Sequence, residues 1–246
     1  MLTIVALALG IIGGSPSDDE AVVCLSADAL PLCSGVMIGR RTVLTAGHCI
    51  EALGPGVPYY VNFGPDCLKP RARLRVEEQR THPEFTGEGK PFDLGMMKLV
   101  AEVELVPFQL SDAPVEALTG RTLRHVGFGT SQEQPMGGRG ARLTVSHAAL
   151  RVDADFIWSG DDMANTCLGD SGGPALLDEQ IVAVVSDGPD CHSPSADQRV
   201  DRGREWIDAA RATFEPALPR PKPGCSTAPG LALLALLVAL KARRVS

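Results

Sequence analysis

The apolar runs of this chain are short, and turn formers close them. Val43-Leu44, Val61 to Phe63, Met96 to Val100 and Ile181 to Val185 all lie between segments rich in glycine and proline. With 26 Gly and 19 Pro in 246 residues, the pattern predicts many short strands joined by tight turns, and an all-β fold. One segment before the tail reads as a helix, Arg204 to Phe214, which places Ile207, Ala210 and Phe214 on one face. Hydrophobic residues make up 44% of the chain, enough for a real core and too many for general disorder. The length suits one large domain or two fused halves.

The formal net charge is −7. That excludes an ordinary nucleic-acid binder, which neutralises phosphates with basic patches. The seven cysteines are Cys24, Cys33, Cys49, Cys67, Cys167, Cys191 and Cys225. None lies in a Cys-x-x-Cys pair, so neither a zinc site nor a redox motif is expected, and no metal or cofactor. All but Cys225 precede the tail, and that even number fits disulfides in an exported protein.

The two ends read as separate from the folded part. Met1 to Gly10 is apolar and uncharged and ends in Ala8-Leu9-Gly10, a small-x-small pattern. It resembles the hydrophobic stretch of a signal peptide; the alternative is a buried first strand. The folded domain is then 11–214. A Pro-rich linker follows over 215–224, then 225–246 holds Cys225, the apolar run Leu231 to Leu240 and the basic end Lys241-Ala242-Arg243-Arg244. This tail resembles the sorting signals of surface proteins in myxobacteria and some other Gram-negative bacteria. The resemblance implies cleavage near the Cys and replacement by an anchor; the alternative is a transmembrane helix that stays in the bilayer. Either way the expectation is membrane association through the tail and export to the cell surface, outer membrane or periplasmic face, or beyond.

Three separated motifs carry chemistry. Gly169-Asp170-Ser171-Gly172-Gly173-Pro174 sets a serine among glycines, which let the backbone approach a substrate closely. In such a turn the N–H groups of Gly169 and Ser171 can point at one spot and stabilise an oxyanion. Leu44-Thr45-Ala46-Gly47-His48-Cys49 offers an imidazole that could serve as the base a serine hydroxyl requires. Phe92-Asp93-Leu94-Gly95 offers a carboxylate to fix the imidazole tautomer.

The order His48, Asp93, Ser171 resembles that of chymotrypsin-like serine proteases, and further strings agree. Ile11-Ile12-Gly13-Gly14 looks like the family's mature N-terminus, His82-Pro83 like the turn before the Asp, and Val126-Gly127-Phe128-Gly129 like its Gly-Trp-Gly segment. The resemblance implies two antiparallel β-barrels with a short C-terminal helix, and a serine endopeptidase acting on proteins or peptides; nothing in the sequence demands more than a monomer. It assigns His48 as general base, Asp93 as its orienting acid and Ser171 as nucleophile. It pairs the Ile11 amine with Asp170 on activation, joins Cys33 to Cys49 and Cys167 to Cys191, and leaves Cys24 and Cys67 to pair by elimination. It puts Asn165 at the floor of the substrate pocket, where trypsin-like enzymes have Asp, and Ser186, Gly188 and Ser195 on its walls. Nearby Asp161, Asp162, Asp187 and Asp190 could favour basic substrates. A rival reading is an inactive homologue acting as a binding protein, though such proteins usually lose part of the triad. An esterase of another fold would need a Gly-x-Ser-x-Gly elbow and a different residue order.

Overall fold

The computed structural model describes residues 11–28, 30–52, 56–130 and 140–215. After a two-residue strand, β1 (Ser15–Pro16), six strands form a first barrel: β2 (Val22–Ala27), β3 (Leu30–Met37), β4 (Thr42–Thr45), β5 (Tyr59–Phe63), β6 (Ala72–Thr81) and β7 (Gly95–Leu99). They close in the order β2-β3-β4-β7-β6-β5, antiparallel throughout. The remaining strands are β8 (Gln109–Leu110), β9 (Thr122–Gly127), β10 (Leu143–Val152), β11 (Phe156–Ser159), β12 (Pro174–Leu177), β13 (Gln180–Asp187) and β14 (Ser195–Arg199). Of these, β10-β11-β14-β13-β12-β9 close through the β9–β10 pairing into a second antiparallel barrel. The fold is the expected pair of barrels with a short C-terminal helix.

Strand β2 shows how the barrels are held together. Residues alternate between the two faces of a strand, yet Val22 to Leu25 are all fully buried. Val23 and Leu25 fill the first barrel with Met37, Val43, Val61 and Met97. Val22 and Cys24 face the other way, into a second core with Leu44, Met96, Val126, Phe128 and Val184. That second core spans both barrels, so the cleft between them rests on a packed base. Helix α1 (Gly47–Glu51) is a single short turn after β4. Helix α2 (Arg204–Phe214) buries Ile207, Ala210 and Phe214, the face read from the sequence, against the core between the barrels.

Disulfides join Cys24 to Cys67, Cys33 to Cys49 and Cys167 to Cys191. The expectation of a transmembrane helix, and of membrane association with it, is corrected. No helix among the described residues is long and apolar enough to cross a membrane. The run Leu231 to Leu240 lies outside the described residues, and its ten apolar residues fall well short of the roughly 20 that a spanning helix requires. The leader 1–10, the linker from 216 and Cys225 also lie outside them.

Candidate active site

The first barrel supplies a histidine and an acid. Strand β4 ends at Thr45, and the chain turns through Ala46 into α1, which carries His48. Asp93 precedes β7, which pairs with β4 from Thr45↔Gly95 onward. The pairing brings the two residues together although 45 positions separate them. Asp93 is fully buried and grips His48 twice: Oδ1 accepts the backbone N–H of His48 at 2.8 Å, and Oδ2 lies 2.7 Å from Nδ1. A third donor, the Ser186 hydroxyl on β13, reaches Oδ2 at 2.6 Å, and the Asp93 N–H donates to Gln198 Oε1 at 3.2 Å. The carboxyl is thus fixed from both barrels. Facing an acceptor, Nδ1 carries the ring proton, which leaves Nε2 as the basic nitrogen. Burial pushes the His48 pKa down, but the Asp93 hydrogen bond and charge, with Glu88 and Asp187 further off, outweigh it and raise the pKa.

The second barrel supplies the serine. Ser171 sits between Gly169, at φ +100°, and Gly172, at φ +80°. Both lie in the left-handed region that favours glycine. A β-carbon on Gly172 would also collide with Thr45 Oγ1 and the Ala46 nitrogen, so the serine loop presses against the segment leading into His48. The Ser171 carbonyl accepts the Ser34 N–H at 2.9 Å, and the Gly172 N–H donates to Val185 O at 2.7 Å. Cys49 Sγ lies 3.6 Å from His48 Nε2 and 3.6 Å from the Ser171 carbonyl. The structure therefore brings His48, Asp93 and Ser171 to one place. The Cys33, His48, Cys49 grouping offers no metal site, since both sulfurs are in the disulfide that ties α1 to β3.

Beside Ser171 opens a cavity of about 330 Å³, lined among others by Thr166, Ser186, Gly188, Asp190 and Ser195. Asn165 is fully buried beneath it. Its Nδ2 donates to Ser193 O at 2.6 Å, and its Oδ1 accepts the Thr166 N–H at 2.9 Å and the Ser195 hydroxyl at 3.2 Å. Asp187 and Glu88 also line the cavity, the latter in the loop between His82-Pro83 and Asp93. Asp161 and Asp162, nearby in sequence, do not line the cavity. Sequence reasoning missed Glu88, since nothing in its string marks it; only the packing of the two barrels carries its loop to the cavity. It also missed the bond from Ser186 to Asp93. Ile11 and Asp170 are both fully buried. Ile12 exchanges backbone hydrogen bonds with Asn165, at 2.9 and 3.2 Å, and Asp170 accepts the N–H groups of Gly129 and Cys167 at 2.7 and 2.9 Å.

Two β-barrels with a buried carboxylate–imidazole pair beside a glycine-flanked serine define a serine hydrolase of the two-barrel class. The trypsin family profile matches residues 11–207, and the chain belongs to that family and is a serine protease. It is 26% identical over 209 residues to a trypsin of Saccharopolyspora erythraea, covering 75% of this chain and 89% of that protein. It is 29% identical over 213 residues to serine protease 28 of Mus musculus, covering 72% and 76%. Among solved structures, neuropsin, a serine protease expressed in the limbic system of mouse brain, superposes with a TM-score of 0.71 over 82% of this chain and 98% of its own. At 21% identity that likeness concerns the fold.

Proposed function

We propose that this serine protease cleaves peptide bonds through an acyl-enzyme on Ser171. His48 takes the serine proton at Nε2 and returns it to the leaving amine, while Asp93 holds the ring and stabilises the imidazolium. The tetrahedral oxyanion is received by the N–H groups of Gly169 and Ser171, neither of which is engaged elsewhere among the described residues. The observation that carries this reading is the double grip of buried Asp93 on His48 next to the serine loop.

The pocket selects little by charge at its base. Asn165 is neutral, and its amide is occupied by protein partners. Charge is concentrated on the pocket walls, where Glu88, Asp187 and Asp190 form no ion pair with any cation among the described residues. Solvent-exposed ion pairs contribute roughly 0.2–1 kcal/mol each, so these acids favour basic side chains flanking the scissile position only severalfold.

Activation follows from Ile11. Its φ of +26° is costly for a β-branched residue, by roughly 1–3 kcal/mol. Cleavage of the Gly10–Ile11 bond abolishes that torsion, and the freed amine joins Asp170. The residues from 216 onward are read as a processing tail.

One experiment covers these readings: peptide-library profiling of a chain beginning at Ile11 beside one that retains residues 1–10. The Ile11 form should cut, with weak charge preference at the residue before the scissile bond and a severalfold preference for Lys or Arg at adjacent positions. That preference should fade in Asp187→Asn and in high salt. A sharp requirement for a basic residue at the scissile position, or equal activity of the longer form, would count against the account.

A further inference from the structure

The second barrel holds a polar chain that the reaction does not use. Its interior is otherwise built from residues such as Leu123, Ile157, Leu177 and Val182. Within it the fully buried Asp197 carboxyl accepts the Ser159 hydroxyl at 2.9 Å and sits 2.8 Å from His125 Nε2. His147, almost as deeply buried, stacks on His125 with ring centroids 4.4 Å apart. Both ring nitrogens of His147, Nδ1 of His125 and Oδ1 of Asp197 are buried without a hydrogen-bond partner. A fold tolerates such groups only at a cost.

The chain ends at the substrate pocket. Ser159 O accepts the Ser195 hydroxyl at 3.4 Å, and that hydroxyl also meets Thr166 Oγ1 at 3.1 Å and Asn165 Oδ1 at 3.2 Å. Ser195 and Thr166 line the cavity beside Ser171. The Asp93–His48 pair is held through Ser186 and through Gln198, whose side chain leaves β14 on the face opposite Asp197.

We propose that Asp197, with His125 and Ser159, positions the base of the substrate pocket, and that His147 makes this hold dependent on protonation. The inference rests on the cavity beside Ser171 being the substrate pocket. A proton on His147 would place a cation against the His125 ring with no acceptor at either nitrogen. The other ionisable groups facing it are Asp197 on β14 and Asp161 just past β11. Strands β12 and β13 bring only Ala175 opposite His125 and Val185 opposite Asp197. Protonation therefore requires the stack to open, with His147 turning toward Asp161 and solvent. Below the ordinary histidine pKa, each pH unit favours the open arrangement tenfold. Opening frees His125 from Asp197 and slackens the wall that carries Ser195.

The test is kcat and KM measured separately from pH 4.5 to 8 on the mature protease, His147→Phe and Asp197→Asn, with the active fraction titrated at each pH. We expect wild-type KM to rise severalfold between pH 7 and pH 5. His147→Phe keeps a ring in the stack but cannot take a proton, and its KM should vary less than twofold over that range. Asp197→Asn should raise KM severalfold at pH 7.5 with a smaller change in kcat. A flat wild-type KM, or an equal rise in His147→Phe, overturns the proposal; if Asp197→Asn does not fold, the His147→Phe comparison decides alone. A wild type with no titratable active fraction would instead contradict the nucleophile assignment.

Discussion

Asp93→Asn will lower kcat about 10⁴-fold while leaving the fold intact. The carboxylate receives three donors at once: the His48 main chain, His48 Nδ1–H and the Ser186 hydroxyl. An amide has one acceptor oxygen and one donor nitrogen. It cannot satisfy all three, and wherever its NH₂ faces Nδ1 the imidazole must shift its proton to Nε2. That tautomer has no lone pair with which to take the serine proton. The ring also loses the negative charge that helps raise the His48 pKa, so the acid limb of the residual activity should move to lower pH. Steady-state kinetics on a peptide substrate, with a thermal melt as control, checks both parts. A loss of less than tenfold would mean that Asp93 does not orient the base.

Acid should destabilise the domain mainly through His147. Burial and the neighbouring His125 push its pKa from 6.5 down to about 3. In the unfolded chain the same ring takes up a proton near 6.5. Its contribution is therefore full above pH 6.5 and is lost as pH falls toward 3, because the unfolded chain gains the proton on the way and the closed stack does not. A gap of that size corresponds to about 5 kcal/mol as an upper limit, reached only while the stack stays closed, against the 5–15 kcal/mol that typically holds a domain together. His48 works in the opposite sense: its raised pKa favours the folded state at low pH and loses that contribution as pH rises. His147→Phe should flatten the fall in melting temperature between pH 6.5 and pH 4 relative to wild type, whatever its effect at pH 7. Parallel slopes for the two proteins would show that His147 is already protonated or exposed in the native state.

The parts of this molecule legible in the sequence are those where local chemistry admits few residue types. The turn around Ser171 needs glycine at Gly169 and Gly172 because of positive φ and close backbone approach, so the string itself marks the site. Short apolar runs bounded by turns located β5, β7 and β13, and the spacing of Ile207, Ala210 and Phe214 located α2. What stayed hidden depends on register and packing between distant strands. Ser186 looks like one more residue of a buried strand until the barrels place it against Asp93. His125, His147, Ser159 and Asp197 come from four different strands, and polar residues in an alternating strand read as facing solvent. Their burial is a property of the closed barrel. Asn165 reads from the sequence as the floor of the pocket; in the structure it stands behind the lining, bonded to Thr166 and Ser195, which face the cavity.

The central assignment is that Ser171 is a nucleophile activated by His48. Treating the mature protein with a fluorophosphonate and mapping the adduct by mass spectrometry tests it most directly. We expect one stoichiometric adduct on Ser171, formed far more slowly in His48→Ala and absent from Ser171→Ala. A folded wild-type protein that takes no label, or carries it on another residue, would contradict it.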